Sequence, residues 1–475
     1  MRDVSPTGGY YKQLIALYRH LGVKFRHADF SYSFSSLTPT AKGKPCLRPY
    51  FIYNGSSGVK GIAFPAYDSY GRLAQDVGTK VISLFYFVFA TMVVLFIYLR
   101  LLTLASPMFR PDPSITFHQW VSQTTPKGVI ARWTRFDVSW YEFTREVLLP
   151  MFSAVCTAPK EDVHAHPMAD FLGSCSIIFP DSSFIHVPSK EYIWVTIGTH
   201  HYVVQHGVRD VASRLAQYIA HIHLSSTIVS IFPDPSDPSK LSIHTTQGTY
   251  SGFSHLILAT QANNGVPLLA SYYSSLPEDA SEYRQTLEEL IQCLKSFQYR
   301  KNVVVNHTDD TFLPPDLRDR RDLNLVQGMK QELDEKQFNP FTVPMSYTMT
   351  THVLCNSEDT PIYQTTNPIV PPRQDSVLSV AVLERAVLTA QSKAALRLLS
   401  HREEGQWPFT TSSTSLGRLQ GAGRLQCATR PGIWICGSYA HSGIPLLEGC
   451  VASARDVVEQ GVLRCEGVAV HDEPW

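Results

Sequence analysis

The residues best placed to do chemistry lie near the C-terminus. Gly432-Ile433-Trp434-Ile435-Cys436 reads as a short buried strand, broken by Gly437-Ser438. Gly443 and Pro445 follow, and a helix is predicted from about Leu447 to Gly461. Its apolar face is Leu447, Cys450, Val451, Ala454, Val457 and Val458, with Arg455, Asp456, Glu459 and Gln460 turned outward. A strand feeding a glycine turn and then a helix N-terminus presents free backbone N–H groups and the positive end of a dipole. Such a place holds an anionic group, a pyrophosphate or the N1–C2=O edge of a reduced flavin. The same pattern also describes an ordinary strand-to-helix corner. His441, between turn and helix, is the one candidate catalytic side chain; its alternative is a loop histidine bonded to backbone. Glu448 sits where the dipole favours a carboxylate, so a structural role is expected of it. His307 and Asp309 alternate at a strand end, facing a pocket or marking a plain strand exit.

Other chemistries find less support. The histidine pairs 164/166, 200/201 and 221/223 have no convergent carboxylates or cysteines at ligand spacing, so no metal is expected. Nine scattered cysteines include no CxxC and read as buried thiols. Ser438 and Ser453 lack a GxSxG setting, which argues against a serine hydrolase. With 41 basic against 41 acidic residues the formal net charge is zero, which excludes a basic nucleic-acid-binding chain. Met1 to Gly22 has no apolar stretch of the signal-peptide kind.

The elements that must position these groups are legible in part. Tyr10 to Leu21, Ser139 to Val155, Pro277 to Leu294 and Leu383 to Leu399 read as helices. After Gly207 an apolar stripe of helical period runs to Ile219. Three strand-like runs follow, Thr227 to Phe232, Leu241 to Thr246 and Leu256 to Ala259, with turns at Pro233-Asp234 and Gln247-Gly248. Val81 to Leu99 is nineteen residues without a charge. A membrane span needs ~20 such residues, and the buried spine of a large protein reads the same way. Membrane contact is the expectation, with a single apolar helix at about 81–103.

The C-terminal stretch, Gly432-Ile-Trp-Ile-Cys-Gly-Ser with Gly443-Ile-Pro-Leu-Leu-Glu-Gly-Cys-Val-Ala-Ser453, resembles the C-terminal FAD motif of the flavin-containing amine oxidase superfamily. The segment Ile228-Val229-Ser230-Ile231 is similar to that family's run whose backbone lies against the adenine side of FAD. A narrower resemblance, to a bacterial and fungal branch of FAD/NAD(P)-binding oxidoreductases, extends over Tyr11 to Phe34, Val304 to Asp309 and Gln364 to Pro368. The resemblance implies FAD as cofactor, contacted at Val229, Gly437, Ser438, Gly449, Cys450 and Val451. Two departures stand out: Ser438 replaces the family's acidic residue, and no GxGxxG occurs anywhere in the chain. The sequence therefore reads as starting after the point where that βαβ unit ends, through loss of the unit or an incomplete gene.

Together these readings give an α/β fold: an FAD-binding Rossmann-like lobe, incomplete at the N-terminus, interleaved with an α+β substrate lobe and carrying one hydrophobic, membrane-inserted helix. The expected segments are 1–79 for the N-terminal parts of both lobes and 80–106 for the hydrophobic helix. The substrate lobe takes 107–200 and 266–400, the FAD-lobe helix and meander 201–265, and the C-terminal FAD motif 401–475. The expected activity is FAD-dependent oxidation or desaturation of a lipophilic small molecule by hydride transfer, in lipid or secondary metabolism, at an intracellular membrane. The alternatives are an inactive membrane-associated homologue that does not retain FAD, and a membrane-anchored interaction protein.

Overall fold

The computed structural model describes residues 11–28, 30–39, 45–55, 62–63, 65, 77–109, 111–175, 202–328, 341–355, 361–403, 413–422 and 430–469. Its largest feature is an eight-stranded mixed sheet in the order β14-β10-β13-β12-β11-β2-β3-β4. These strands are β2 (Tyr32–Pro39), β3 (Pro45–Tyr53), β4 (Ile62–Ala63), β10 (Gln298–His307), β11 (Leu323–Gly328), β12 (Thr348–Cys355), β13 (Ile362–Thr366) and β14 (Val377–Val387). Every neighbouring pair is antiparallel except β11 with β2. That one parallel junction joins the N-terminal hairpin to strands formed nearly three hundred residues later, Leu323 lying opposite Tyr32.

The other strands are short. β1 (Phe25–His27) pairs with β5 (Tyr202–Val204), and β15 (Ser400–Glu403) with β16 (Ser413–Leu416). A meander comprises β6 (Ile228–Pro233), β7 (Leu241–Thr245) and β8 (Gly248–Phe253). Finally β9 (His255–Leu258) pairs in parallel with β17 (Gly432–Ile435). The meander read from sequence thus gains the strand Gly248–Phe253, and the run beginning near Leu256 leaves it to join β17. Glycines at 248 and 252 hid β8 from a pattern that looks for β-branched alternation.

Separate cores hold the parts together. One gathers Ile231, Leu241, Leu258, Leu269, Leu287, Leu294, Leu399, Ile433 and Ile435, and so draws on the meander, the parallel pair and the helices Ala262–Ser275 and Ser281–Lys295. A second lies among helices and is aromatic: Phe117, Trp120, Trp140, Phe152 and Phe171 are buried in it, with Phe152 and Phe171 stacked at 3.9 Å. A third, under the large sheet, contains Leu37, Phe312, Val326 and Met349.

Two sequence expectations are corrected here. The stretch Leu383 to Leu399 is not one helix. β14 runs to Val387, pairing with β10 from Gln298↔Val387 onward, and helix is confined to Ala390–Leu396. Thr389 opens that helix with a capping box to Ser392, so the boundary is set by a local polar signal within an apolar stretch. The second correction concerns the membrane. Val77–Ala105 is a helix, but among the described residues no helix is long and apolar enough to cross a membrane. Its C-terminal half is engaged by protein: Ile97, Tyr98 and Ala105 are buried, and Val93, Leu101 and Leu104 pack on the aromatic helical core. Arg100 lies over the Trp140 ring at 5.2 Å and donates to the Thr124 carbonyl. The membrane-inserted helix and the membrane localisation are overturned by this finding: apolar residues at every position serve a buried helix as readily as a span.

Trp434, fully buried in β17, lies against Gly461, where a Cβ would collide with its ring. Gly461→Ala is expected to destabilise the fold by about 1–3 kcal/mol through overpacking. A urea unfolding midpoint equal to that of the parent chain would show that the C-terminal helix yields freely.

Candidate functional site

The parallel pair sets the site. All four residues of β17 are buried, and Gly432 N–H donates to the Ser254 carbonyl at 2.9 Å while Cys436 N–H donates to Leu258 at 3.2 Å. Trp434 Nε1–H donates to His255 Nδ1 at 3.0 Å, which leaves His255 Nε2–H to donate to Glu466 at 2.8 Å. One tautomer of His255 thereby ties the strand pair to the C-terminal helical run.

At the end of β17 the chain turns through Gly437 at φ +150°, a conformation that side chains rarely adopt; a Cβ there would also press on the Tyr439 ring. The turn's own polar groups are largely used inside the protein. Gly437 N–H donates to Ser453 Oγ at 3.0 Å, and that hydroxyl also reaches the Gly437 carbonyl at 3.1 Å. Gly449 is the second close approach: its Cβ would meet the Ser438 carbonyl oxygen at 2.9 Å and the His441 Cβ at 3.4 Å. The glycine lets the helix start sit directly on the turn, so its smallness serves the protein's own packing. Ser438 bonds the Cys450 thiol through backbone and hydroxyl, while burial pushes that thiol's pKa up.

The helix Leu447–Asp456 begins after Leu446, whose backbone is extended at φ −118°, ψ 178°. Gly449 N–H already donates to Leu446 at 3.0 Å. Leu447 and Glu448 come before that bond, and their N–H groups are the ones a helix start leaves open. Leu447 is 60% exposed, so this end of the helix faces outward. Gly449, one of the residues expected from sequence to contact FAD, thus gives its own N–H to Leu446. Exposure of Leu447 is the signal that only folding could supply.

Glu448 is almost buried, and its carboxylate accepts from Gln13 N–H at 2.8 Å and Leu14 N–H at 2.9 Å. These are early N–H groups of the helix Lys12–His20, whose N-cap residue Tyr11 makes no side-chain cap. A residue from the far end of the chain thus caps the first helix, and the structural role expected of Glu448 has its partner. Burial raises the Glu448 pKa, against the two bonds that lower it. Arg455 reinforces the same junction, donating to Gln13 Oε1 at 2.9 Å and pairing with Glu459 at 2.8 Å.

The remaining candidates separate cleanly. Val229 is 56% exposed and sits at a register shift between Ile228 and Ser230, outside the β6–β7 ladder. A β-bulge there bends the strand locally. His441 is half-buried beside the helix start. His307 is fully buried: Nδ1 accepts from Asp309 N–H at 3.1 Å and Nε2 donates to Thr365 Oγ1 at 2.7 Å. Burial holds its pKa below the usual histidine range. Asp309 receives Thr311 N–H and Arg373 N–H, each at 3.0 Å. The pair is an internal staple of the large sheet. His223 pairs with Tyr250 at 3.1 Å, and His200 and His201 lie outside the described residues. Among the described residues no group of three His, Cys, Asp or Glu is placed to hold a metal.

No protein-family model matches the chain, and no curated protein does. Among solved structures, putrescine oxidase bound to putrescine is similar at 12% identity over 96% of this chain and 86% of that one, with a TM-score of 0.43. An oxidoreductase from Methanosarcina mazei is similar at 12% identity over 95% and 86%, with a TM-score of 0.45. A CLA-producing fatty acid isomerase from P. acnes gives 12%, 94%, 84% and 0.42. With TM-scores below 0.5, these likenesses carry no chemistry over to this chain.

Glu448→Ala should cost about 2–3 kcal/mol by leaving two helix-start donors unpaired, and Glu448→Gln less, since one acceptor oxygen remains. Urea unfolding of both variants checks this, and equal midpoints for Ala and parent would remove the capping role. Asp456 gives a second test. Burial, then the nearby Glu459, pushes its pKa up to about 6. A carboxyl raised in the folded state favours the protonated form, so stability is expected to fall as pH rises from about 4 to 6. Asp456→Asn should flatten that slope and leave the protein more stable at neutral pH, by on the order of 1 kcal/mol after solvent screening. A slope that persists in the variant assigns it to another group.

Proposed function

We propose that the chain is an FAD-dependent oxidoreductase acting on a lipophilic small molecule. The observation that carries the reading is the outward-facing start of the helix Leu447–Asp456, set on a glycine turn at the end of a buried parallel strand. Its free N–H groups and dipole suit the negative charge that gathers at a reduced flavin's N1–C2=O edge. The residues fit the group: Leu447 and Glu448 N–H would bind that edge, and the bulge at Val229 would lie on the adenine side. Ser438, Cys450 and Gly449 hold the turn against the helix and so fix the direction of those donors. Bound there, FAD supplies the chemistry of accepting a hydride.

The substrate class is read from what borders the helix start. Ile444 is buried in the aromatic helical core, and Leu446 packs against it, so the loop before the helix is apolar on that side. Apolar walls exclude water and favour a hydrocarbon-rich substrate. A second reading is a chain that keeps this fold without retaining FAD; it is favoured by the internal use of Gly437 N–H, which is unavailable to a phosphate.

Purification with added FAD, desalting and a visible spectrum separate the two. Retained flavin bands support the enzyme, and a colourless folded protein supports the second reading. Leu447→Pro then tests the site itself. Proline at the first helical position removes only an open N–H, and the extended backbone of Leu446 accommodates it. FAD affinity should fall about tenfold with unchanged far-UV dichroism, the worth of one hydrogen bond of ~1.4 kcal/mol. Full affinity in this variant would dismiss the helix start as the flavin contact.

A further inference from the structure

We propose that β14 is the contact surface of a homodimer, in which two copies of the chain pair their β14 strands antiparallel about a two-fold axis at Ala381 and join their eight-stranded sheets into one. The inference stands apart from the cofactor reading and makes no use of its site.

The two ends of the large sheet differ. One is β4, two residues long; the other is β14, eleven residues long. Exposed edges of that length are usually blunted by proline, lysine or a covering element. β14 contains neither proline nor lysine, and Leu378 to Glu384 are all exposed, Leu378 at 58%, Val382 at 59% and Leu383 at 56%. A bulge at Leu378 interrupts the ladder to β10 at one end and leaves Ser379 to Val387 in continuous register. The direction of the free backbone groups follows from that ladder. Val382 lies opposite Val303 of β10. Val303 turns its own groups the other way: its carbonyl accepts from Asn367 N–H at 2.7 Å, and its N–H donates to Asn367 Oδ1 at 3.2 Å. Val382 therefore points its N–H and C=O out of the sheet, and by alternation so do Val380 and Glu384. The Glu384 carbonyl is met by Gln261 Nε2 at 2.7 Å. Among the described residues β10 is the one strand beside β14, so the outward groups of Val380 and Val382 have no ladder partner.

Those groups specify an extended strand as the occupant, and the side chains specify a second copy. Antiparallel pairing about Ala381 sets Val380 of each copy opposite Val382 of the other as a hydrogen-bonded pair, which uses every outward N–H and C=O of both valines. On one face valine then meets valine. On the other, Ala381 meets its twin and Ser379 lies opposite Leu383. Val377 to Leu383 carries no charge, and Glu384 and Arg385 fall at the margins, so a charged peptide gains nothing here while an identical strand meets no repulsion. A shift of two residues either way would set the bulged Leu378, or the Glu384 carbonyl held by Gln261, against the other copy. Identical strands paired in this way close by two-fold symmetry, so assembly stops at two copies. One strand pair covers less than the ~1,200 Å² of a standard interface, so the dimer is expected to be reversible.

The test is sedimentation velocity of the full chain over a wide concentration range, in which the parent should pass from monomer to dimer. Val382→Pro removes an N–H that the sheet's own ladder does not use, and edge strands tolerate proline at such positions. It deletes half of the inter-copy bonds, so dimerisation should weaken about 5- to 150-fold with the urea midpoint unchanged. Val382→Lys keeps the backbone and should also favour the monomer; it decides the matter if the proline variant fails to fold. Ala381→Cys brings two thiols together across a pair whose Cα atoms lie ~4.5 Å apart, within disulfide reach. Oxidised glutathione should then give a covalent dimer that peptide mass spectrometry maps to residue 381 of both chains. Ser379→Cys, with its twin ~14 Å away, should give none at residue 379. A parent that stays monomeric, or a dimer unmoved by both Val382 variants, would overturn the proposal. So would a dimeric Ala381→Cys protein without that cross-link, or a dimer abolished by Phe96→Glu instead, which would move the contact to the helix Val77–Ala105. A monomer whose Val380 and Val382 amides resist hydrogen exchange would assign the edge to another segment of the same chain and overturn it as well.

Discussion

Two strands far apart in the chain, His255–Leu258 and Gly432–Ile435, pair in parallel, and most of the architecture follows from keeping them together. Parallel neighbours cannot be joined by a hairpin; the chain must leave and return. Here it leaves to build the packed helices Ala262–Ser275 and Ser281–Lys295 and strands β10 to β16 before coming back. The pair is held by more than its ladder. His255 receives the Trp434 indole N–H and donates to Glu466, and Gly461 lets the C-terminal helical run lie against the same indole. Since β17 points into the Gly437 turn, any error in this pairing would misdirect the helix start that follows.

The chain ends are bound into this arrangement by a single carboxylate. Glu448 caps the helix Lys12–His20 with two short bonds and stands at the second position of its own helix. One side chain therefore fixes the relative placement of two helix N-termini. Arg455 and Gln13 repeat the link about two turns further along the helix. This cluster lies close to Arg385: Tyr11 is within electrostatic reach of both Arg385 and Glu448.

The apolar helix Val77–Ala105 shows how burial and membrane insertion share one sequence signature. Lipid and a protein interior both reward an all-round apolar surface, so composition alone does not divide them. What divides them is whether other elements of the chain arrive to cover the helix. In this fold one face is covered, with Ile97, Tyr98 and Ala105 buried, while Phe89, Met92, Phe96 and Leu99 stay exposed, and Arg100 finds a carbonyl and an aromatic ring within the protein.

The sequence by itself determined the local signals. The strand, glycine turn and helix at residues 432–461 are legible because a buried β-branched run, a residue without Cβ and a 3.6-residue stripe are each local events. The helix Lys12–His20 and the paired strands Ile228–Pro233 and Leu241–Thr245 are legible for the same reason. Tertiary structure alone decided the rest. It made Glu448 a cap for a helix more than four hundred residues away and turned His307 and Asp309 into an internal staple. It also left Leu447 exposed at the start of its helix while burying Glu448 beside it. Each of those outcomes depends on which distant group arrives within about 3 Å, and hydrogen bonds and ion pairs are too short-ranged for residue spacing along the chain to specify that.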